Sequence, residues 1–236
     1  MLKKIGSFIL RIFVGFIVLS VLSVVVFRFV PVPLTPLMLI RSVQQKMAGK
    51  PLIMSKTWKP LDKISPHLQL AVVTSEDQNF INHHGFDMKA IQEDIEYNKT
   101  HAIKRGASTI SQQTAKNVFL WPSRSFVRKG LEVYFTFLIE LIWSKERIME
   151  VYLNVIELGD GVYGAEAASE HYFKRHASDI TTYQAASLAS IVPAPLKWRL
   201  SDPIAVSRQA WVMQQMANFG GVLIYHPKEV TTVTHK

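Results

Sequence analysis

The chain has no cysteine among its 236 residues. Disulfides and cysteine–zinc centres are therefore excluded, and cysteine usage says nothing about the redox compartment. Acids are scarce beside bases, 18 against 27, which leaves a formal net charge of +9. That balance favours anionic partners: phosphorylated substrates, an anionic membrane surface or nucleic acid. No basic helix or aromatic platform of the nucleic-acid type is present, so nucleic acid is set aside. There is no internal repeat and no strand–helix alternation, and helical patterns dominate. The expected fold class is mainly α.

The sequence does contain one long apolar run. Lys3, Lys4 and Arg11 precede an uncharged stretch from Ile12 to Phe27; Arg28 interrupts it, and Phe29 and Val30 lead to Pro31. A membrane-spanning helix needs roughly 20 apolar residues, and arginines at its ends can snorkel. No Ala-x-Ala-like site follows the run, which disfavours a cleaved signal peptide. The basic N-terminal flank places that end in the cytoplasm, against a weaker opposing signal from Arg41, Lys46 and Lys50. The expected organisation is a cytoplasmic stub and signal anchor over residues 1–30 and a juxtamembrane linker over 31–67. A catalytic domain over 68–222 and a tail over 223–236 follow.

Within the domain, the stretch AVVTSEDQNFINHHGFDMKAI over 71–91 gathers Glu76, Asp77, His83, His84 and Asp87. Carboxylates in unequal environments are where general bases occur, so this reads as one wall of a polar cleft. Ser65–Pro66 signals the start of a helix carrying Glu76 near its C-terminal end; Gly85 breaks the next turn, and Met88–Tyr97 reads as a helix. Asp77 cannot point the same way as Glu76 and reads as structural. Adjacent histidines in extended chain point to opposite sides, so no shared metal site is expected at His83 and His84.

Upstream, Leu37–Met47 reads as an amphipathic helix near the membrane. In GASTISQQTAKNVFL over 106–120, Ser108 or Thr109 caps a helix. A glycine before a helix N-terminus suits an anion, although spacing alone favours an ordinary cap. Aromatics with Arg124 between Phe119 and Phe126 suit a membrane interface, or simply a set of buried rings. Phe126–Trp143 has core-helix periodicity. Arg128, Lys129 and Glu132 share a face of it, and the helix alone favours a surface ion pair worth roughly 0–1 kcal/mol. Helices are expected at Lys145–Asn154, Ala165–Phe173, Tyr183–Ile191 and Ala205–Phe219. Gly159, Gly161 and Gly164 read as a tight irregular turn, and Gly220–Gly221 as a stop.

Five of these segments, in order, resemble the signatures of the peptidoglycan glycosyltransferases, the lysozyme-like family also found in bifunctional penicillin-binding proteins. They are EDQNFINHHGFD from Glu76, GASTISQQ from Gly106, RKGLE from Arg128, KERIMEVYLNVIELGDGVYGAEAASEHYF from Lys145, and ASLASIVPAP from Ala186. The resemblance implies a lysozyme-like, two-lobed helical domain behind a transmembrane helix. It also implies a reaction: polymerisation of lipid II with inversion, giving a β-1,4-linked glycan and releasing undecaprenyl pyrophosphate. By that resemblance Glu76 is the catalytic base, and its place at the end of an apolar helix fits a raised pKa. Glu132 matches the second catalytic glutamate and orients basic residues or helps a divalent cation. Lys116 and Arg124 match positions that hold the donor's phosphates, with Arg128 and Lys129 as further cations. Ser108, Thr109, Gln112 and Gln113 line the cleft, and His84 joins a polar network.

No cofactor is demanded by the sequence. A magnesium or manganese ion at the pyrophosphate is compatible with the resemblance, but no aspartate cluster calls for one. The implied partners are lipid II, the growing glycan chain, the membrane, and cell-wall synthesis or division proteins. The implied location is the bacterial cytoplasmic membrane, single-pass, with the domain outside, and moenomycin sensitivity goes with the family. Neither Ser-x-x-Lys nor Lys-Thr-Gly occurs, so the likeness is to the monofunctional form without a transpeptidase. A lytic glycosidase on the same scaffold and a membrane-tethered scaffold protein are the alternatives. The cations near Glu132 argue against the first, because hydrolysis leaves no pyrophosphate to hold.

Overall fold

A computed structural model describes residues 2–102, 106, 108–123 and 125–219. Arg124, Gly220–Gly221 and the 223–236 tail lie outside the described residues. The protein is mainly helical. It opens with α1 (Leu2–Phe29), followed by α2 (Pro36–Met47), whose cap Thr35 accepts from the Met38 amide. Among the described residues, α1 is the one helix long and apolar enough to cross a membrane, over Lys4–Phe29.

Helix α3 (Pro66–Glu76) is the centre of the fold. Every residue from Leu68 to Thr74 is buried, so it is a core helix without a polar face. Ser65 starts it, its hydroxyl accepting from the His67 amide. It packs on α9 (Thr182–Ile191) and α10 (Pro203–Asn218). The α9 residues Ala185, Ala186, Ser187, Ala189 and Ser190 are small and buried, which permits close approach. A second group joins α5 (Ile110–Phe119), α6 (Phe126–Ile142) and α7 (Lys145–Val155), with α8 (Gly164–Phe173) behind α7. Helix α4 (Met88–Thr100) projects from the fold and contains no buried residue.

Two expectations are corrected. The Gly159–Gly164 turn is a hairpin of β2 (Glu157–Gly159) and β3 (Val162–Tyr163), and β3 also pairs in parallel with β1 (Ser55–Lys56). Gly161 adopts φ +75° where the Ile53 carbonyl leaves no room for a Cβ. The 31–67 segment is folded into the domain: α2 packs on α5, β1 completes the sheet, and Leu61 and Ile64 enter the core. Helix α10 starts two residues before the expected Ala205, with Pro203 in its first turn.

The apolar helix docks on the second group. Trp143 Nε1 donates to the Val24 carbonyl at 2.8 Å, and Tyr134 and Ser20 hydroxyls bond at 2.7 Å. Arg147 of α7 donates to the carbonyls of Phe27 and Val30, capping the helix end.

Candidate active site

Glu76 is the last residue of α3, because Asp77 leaves helical geometry at φ −162° and ψ 77°. The carboxylate is therefore carried to the rim of the core while remaining only 11% exposed. Oε2 accepts from Gln113 Nε2 at 3.0 Å and Oε1 from Arg208 Nη2 at 3.1 Å. Burial pushes its pKa above the ordinary carboxylate value, and Gln113, Arg208 and Lys116 pull the other way.

Glu76 borders a cavity of about 550 Å³ whose lining includes Asp77, Ser108, Thr109 and Trp211. Gln113, which bonds to Glu76, borders a second cavity of about 580 Å³ together with Lys116, Arg128, Trp121 and Glu157. The base candidate thus borders one space and is joined through Gln113 to the wall of a second, basic one of similar size. Arg41 and Leu37 of α2 also line the basic cavity, with Arg41 in a two-bond pair with Glu157. Lys116 is deeply set, and burial is the largest influence on it, lowering its pKa.

Glu132 corrects the surface-pair expectation. It is 3% exposed, and its two oxygens are taken by Arg128 Nη1 at 2.6 Å and Lys129 Nζ at 2.5 Å. The helix pattern showed a shared face but not that α6 turns this face inward onto α5.

Asp77 is structural, and the polar network it anchors uses His83 instead of the expected His84. His83 Nδ1 accepts from the Gly85 amide at 3.1 Å, so Nε2 carries the proton and donates to Asp77 at 2.9 Å. His84 is exposed. Asp77 Oδ2 also accepts from the Ile110 amide at 2.9 Å. The N-terminus of α5 does hold an anion, and that anion is the protein's own carboxylate.

Thr109 caps α5 in a reciprocal box with Gln112, and its hydroxyl donates to the Gly85 carbonyl at 2.7 Å. Gln112 is 5% exposed and its Oε1 accepts from the Thr109 amide, so it sets the helix end and borders neither cavity. Ser108 is exposed at the rim beside Glu76, and Gln113 is the glutamine that reaches the carboxylate. Asp87, expected as a support, caps α4 through the Ala90 amide. Arg208, Tyr152 and Arg41 were not found by sequence reasoning. Arg208 meets Glu76 across 132 residues of chain, and nothing local marks it. Tyr152 is fully buried, with its hydroxyl 3.4 Å from Gln113 Oε1.

The family model described as Transglycosylase matches residues 46–217. A biosynthetic peptidoglycan transglycosylase of Bdellovibrio bacteriovorus is 55% identical over 204 residues, covering 86% of this chain and 82% of the relative. Proteins of the same name from Bacteroides thetaiotaomicron and Pseudomonas syringae are each 50% identical. They cover 91% and 94% of this chain, and 88% and 94% of the relatives. The chain belongs to the transglycosylase family and is a peptidoglycan glycosyltransferase.

Proposed function

We propose that this glycosyltransferase polymerises lipid II into linear β-1,4-linked glycan, with inversion and release of undecaprenyl pyrophosphate. The observation that carries the reading is the place of Glu76 on one cavity, bonded by Gln113, which borders a second cavity lined by Lys116 and Arg128. The acceptor enters beside Glu76 and the donor's pyrophosphate lies against the cations. Glu76 takes the proton from the acceptor 4-hydroxyl as that oxygen attacks C1 of the donor, and the C1–O bond to pyrophosphate breaks. A carboxyl held partly out of water and bonded by Gln113 is suited to accept that proton.

Negative charge developing on the leaving group is met by Lys116 and Arg128, with Lys129 and Arg124 assigned to the same task. Glu132 acts through its neighbours, fixing Arg128 and Lys129 on one face of α6. Ser108 and Gln113 border the reacting groups, whereas Thr109 and Gln112 hold the end of α5 that presents Gln113. Both Glu132 oxygens are engaged by cationic side chains, a poor fit for a hard divalent ion, so no step runs through a metal. Helix α1 anchors the protein in the cytoplasmic membrane with the domain on the outer side.

The test is polymerisation of purified lipid II by the full chain. Glu76→Gln is expected to lower the rate by about 10²–10⁴-fold, the range of a general base, while the protein stays folded in the membrane. Near-normal polymerisation by that variant refutes the assignment. Purified cell wall incubated with the wild type is expected to release no soluble muropeptides.

A further inference from the structure

Arg208 crosses from α10 to the end of α3. Its Nη2 donates to Glu76 Oε1 at 3.1 Å and to the Ser75 carbonyl at 3.4 Å. The guanidinium carbon lies 5.3 Å from the centroid of the Trp211 ring, and Trp211 lines the cavity that Glu76 borders. Its Nε–H is buried without a partner. An arginine that only joined two helices is expected to use its donor fork more fully, because a buried open donor opposes folding.

We propose that Arg208 is a positioning residue for the transfer reaction: with Gln113 it clamps the two Glu76 oxygens from opposite helices and aims their free lone pairs at the acceptor hydroxyl. This rests on the reading of Glu76 as the base. The terminal torsion of a free glutamate is broad, so a carboxylate at a helix end has no fixed plane of its own. One donor on each oxygen, from α5 and from α10, fixes that plane.

The same contact governs the charge. Several groups surround the Glu76 carboxylate among the described residues. Gln113 and Lys116 face it from α5, Arg208 from α10 and the buried Tyr152 from α7. Asp77 is adjacent in the chain, and Asp87, Lys89 and Glu93 line the same cavity. Helix α9, which also packs on α3, carries no charged side chain. Arg208 is the cation that bonds the carboxylate, so its removal leaves burial opposed mainly by Gln113 and the more remote Lys116.

The experiment follows lipid II polymerisation by the full-length protein as a function of pH, for wild type, Arg208→Lys, Arg208→Met and Glu76→Gln. Without the guanidinium, Glu76 holds its proton to higher pH. The acid limb of kcat/KM in Arg208→Met is therefore expected to move up by about 1–2 pH units, the size of one close opposite charge. Its kcat above the limb is expected to fall about tenfold through lost orientation, one part of what a placed base contributes. Arg208→Lys is expected to keep the wild-type limb and lose part of kcat. The limb position reads out the base even in a weakened enzyme, and thermal melts of each variant check folding. A loss of kcat in Arg208→Met with an unmoved limb means a packing role and overturns the proposal, as does wild-type behaviour. An active Glu76→Gln instead removes the reading on which the proposal rests, whatever Arg208 does.

Discussion

At the scale of single residues, Glu76 shows a site working against stability. Its folded-state pKa is raised, chiefly by burial. A carboxyl of that kind binds its proton more tightly when folded. The stability linked to it is fully present below the unfolded-state value and is lost as pH rises through the folded-state value. At neutral pH the charged form therefore opposes folding. Glu76→Gln, neutral at every pH, is expected to melt at or above the wild-type temperature near about pH 7.5. That advantage should shrink as pH falls through the folded-state value and vanish below the ordinary carboxylate value, where wild-type Glu76 is protonated too. Thermal melts across pH measure this. A lower melting temperature for the variant at neutral pH would mean that the bonds to Gln113 and Arg208 outweigh burial. The place of Glu76 at the C-terminal end of a helix was legible in the sequence, because Ser65–Pro66 marks where that helix starts. The choice of His83 over His84 was not, because alternation only says that adjacent side chains diverge. Which of the two faces the core depends on Gly85 and Asp77 closing around it. Arg208 was illegible for a plainer reason: its partner is brought to it only by the packing of α10 on α3.

At the scale of elements, starts and stops were the most legible features, because capping is local chemistry. Ser65 and Thr109, both expected at helix starts, accept from an amide of the first helical turn, and Ser125, Ser144 and Thr181 do the same in their helices. The small sheet was not legible, since β1 is two residues long and joins β3 across more than a hundred residues of chain. Its glycine carries the evidence afterwards. At Gly161 a Cβ would sit 2.2 Å from the Ile53 carbonyl oxygen, at a positive φ. The Gly161 carbonyl also accepts from the Ser55 amide at 2.7 Å, so relief by backbone movement breaks the β1 pairing. Gly161→Ala is expected to cost about 2–4 kcal/mol. The contrasting case is Gly130 within α6, where a Cβ meets nothing within 4 Å. Gly130→Ala is expected to stabilise by up to about 1 kcal/mol through helix propensity. Opposite shifts in urea midpoint check the pair together. A harmless Gly161→Ala would remove the steric account of the hairpin.

At the scale of the whole molecule, the apolar helix proposed as the anchor is also part of the domain's packing. Composition revealed a segment long and apolar enough to span a membrane, but it gave no sign that one side of that segment is specified. Val24 is fully buried, and its carbonyl accepts from the Trp143 indole. Phe27 meets Phe119 at 6.2 Å between ring centroids, and Phe119 in turn stacks on Phe135 at 4.4 Å. Phe119 is also the last residue of α5, the helix that carries Gln113 and Lys116, so the docking face of α1 and the basic cavity share one support. The opposite side of α1, with Phe8, Leu19 and Leu22, is exposed, the apolar surface that the proposed membrane anchor would turn to lipid. Replacing residues 12–27 by another apolar helix of equal length is therefore expected to keep the protein in the membrane and yet destabilise the domain. Losing the burial of Val24 and the cover over Phe119 amounts to about 2–4 kcal/mol at typical apolar-transfer values. For a domain of this size that corresponds to a drop of roughly 4–16 °C in melting temperature. Restoring only Ser20, Val24 and Phe27 in the replacement helix is expected to recover most of the loss, because those residues make the specific contacts. Equal melting temperatures for native and replacement helices, measured in the same detergent, would reduce α1 to a tether. A drop that the three residues repair instead makes the anchor a structural component of the catalytic domain. The orientation of the cleft relative to the bilayer then follows from side-chain packing, with no freely swinging linker between the two.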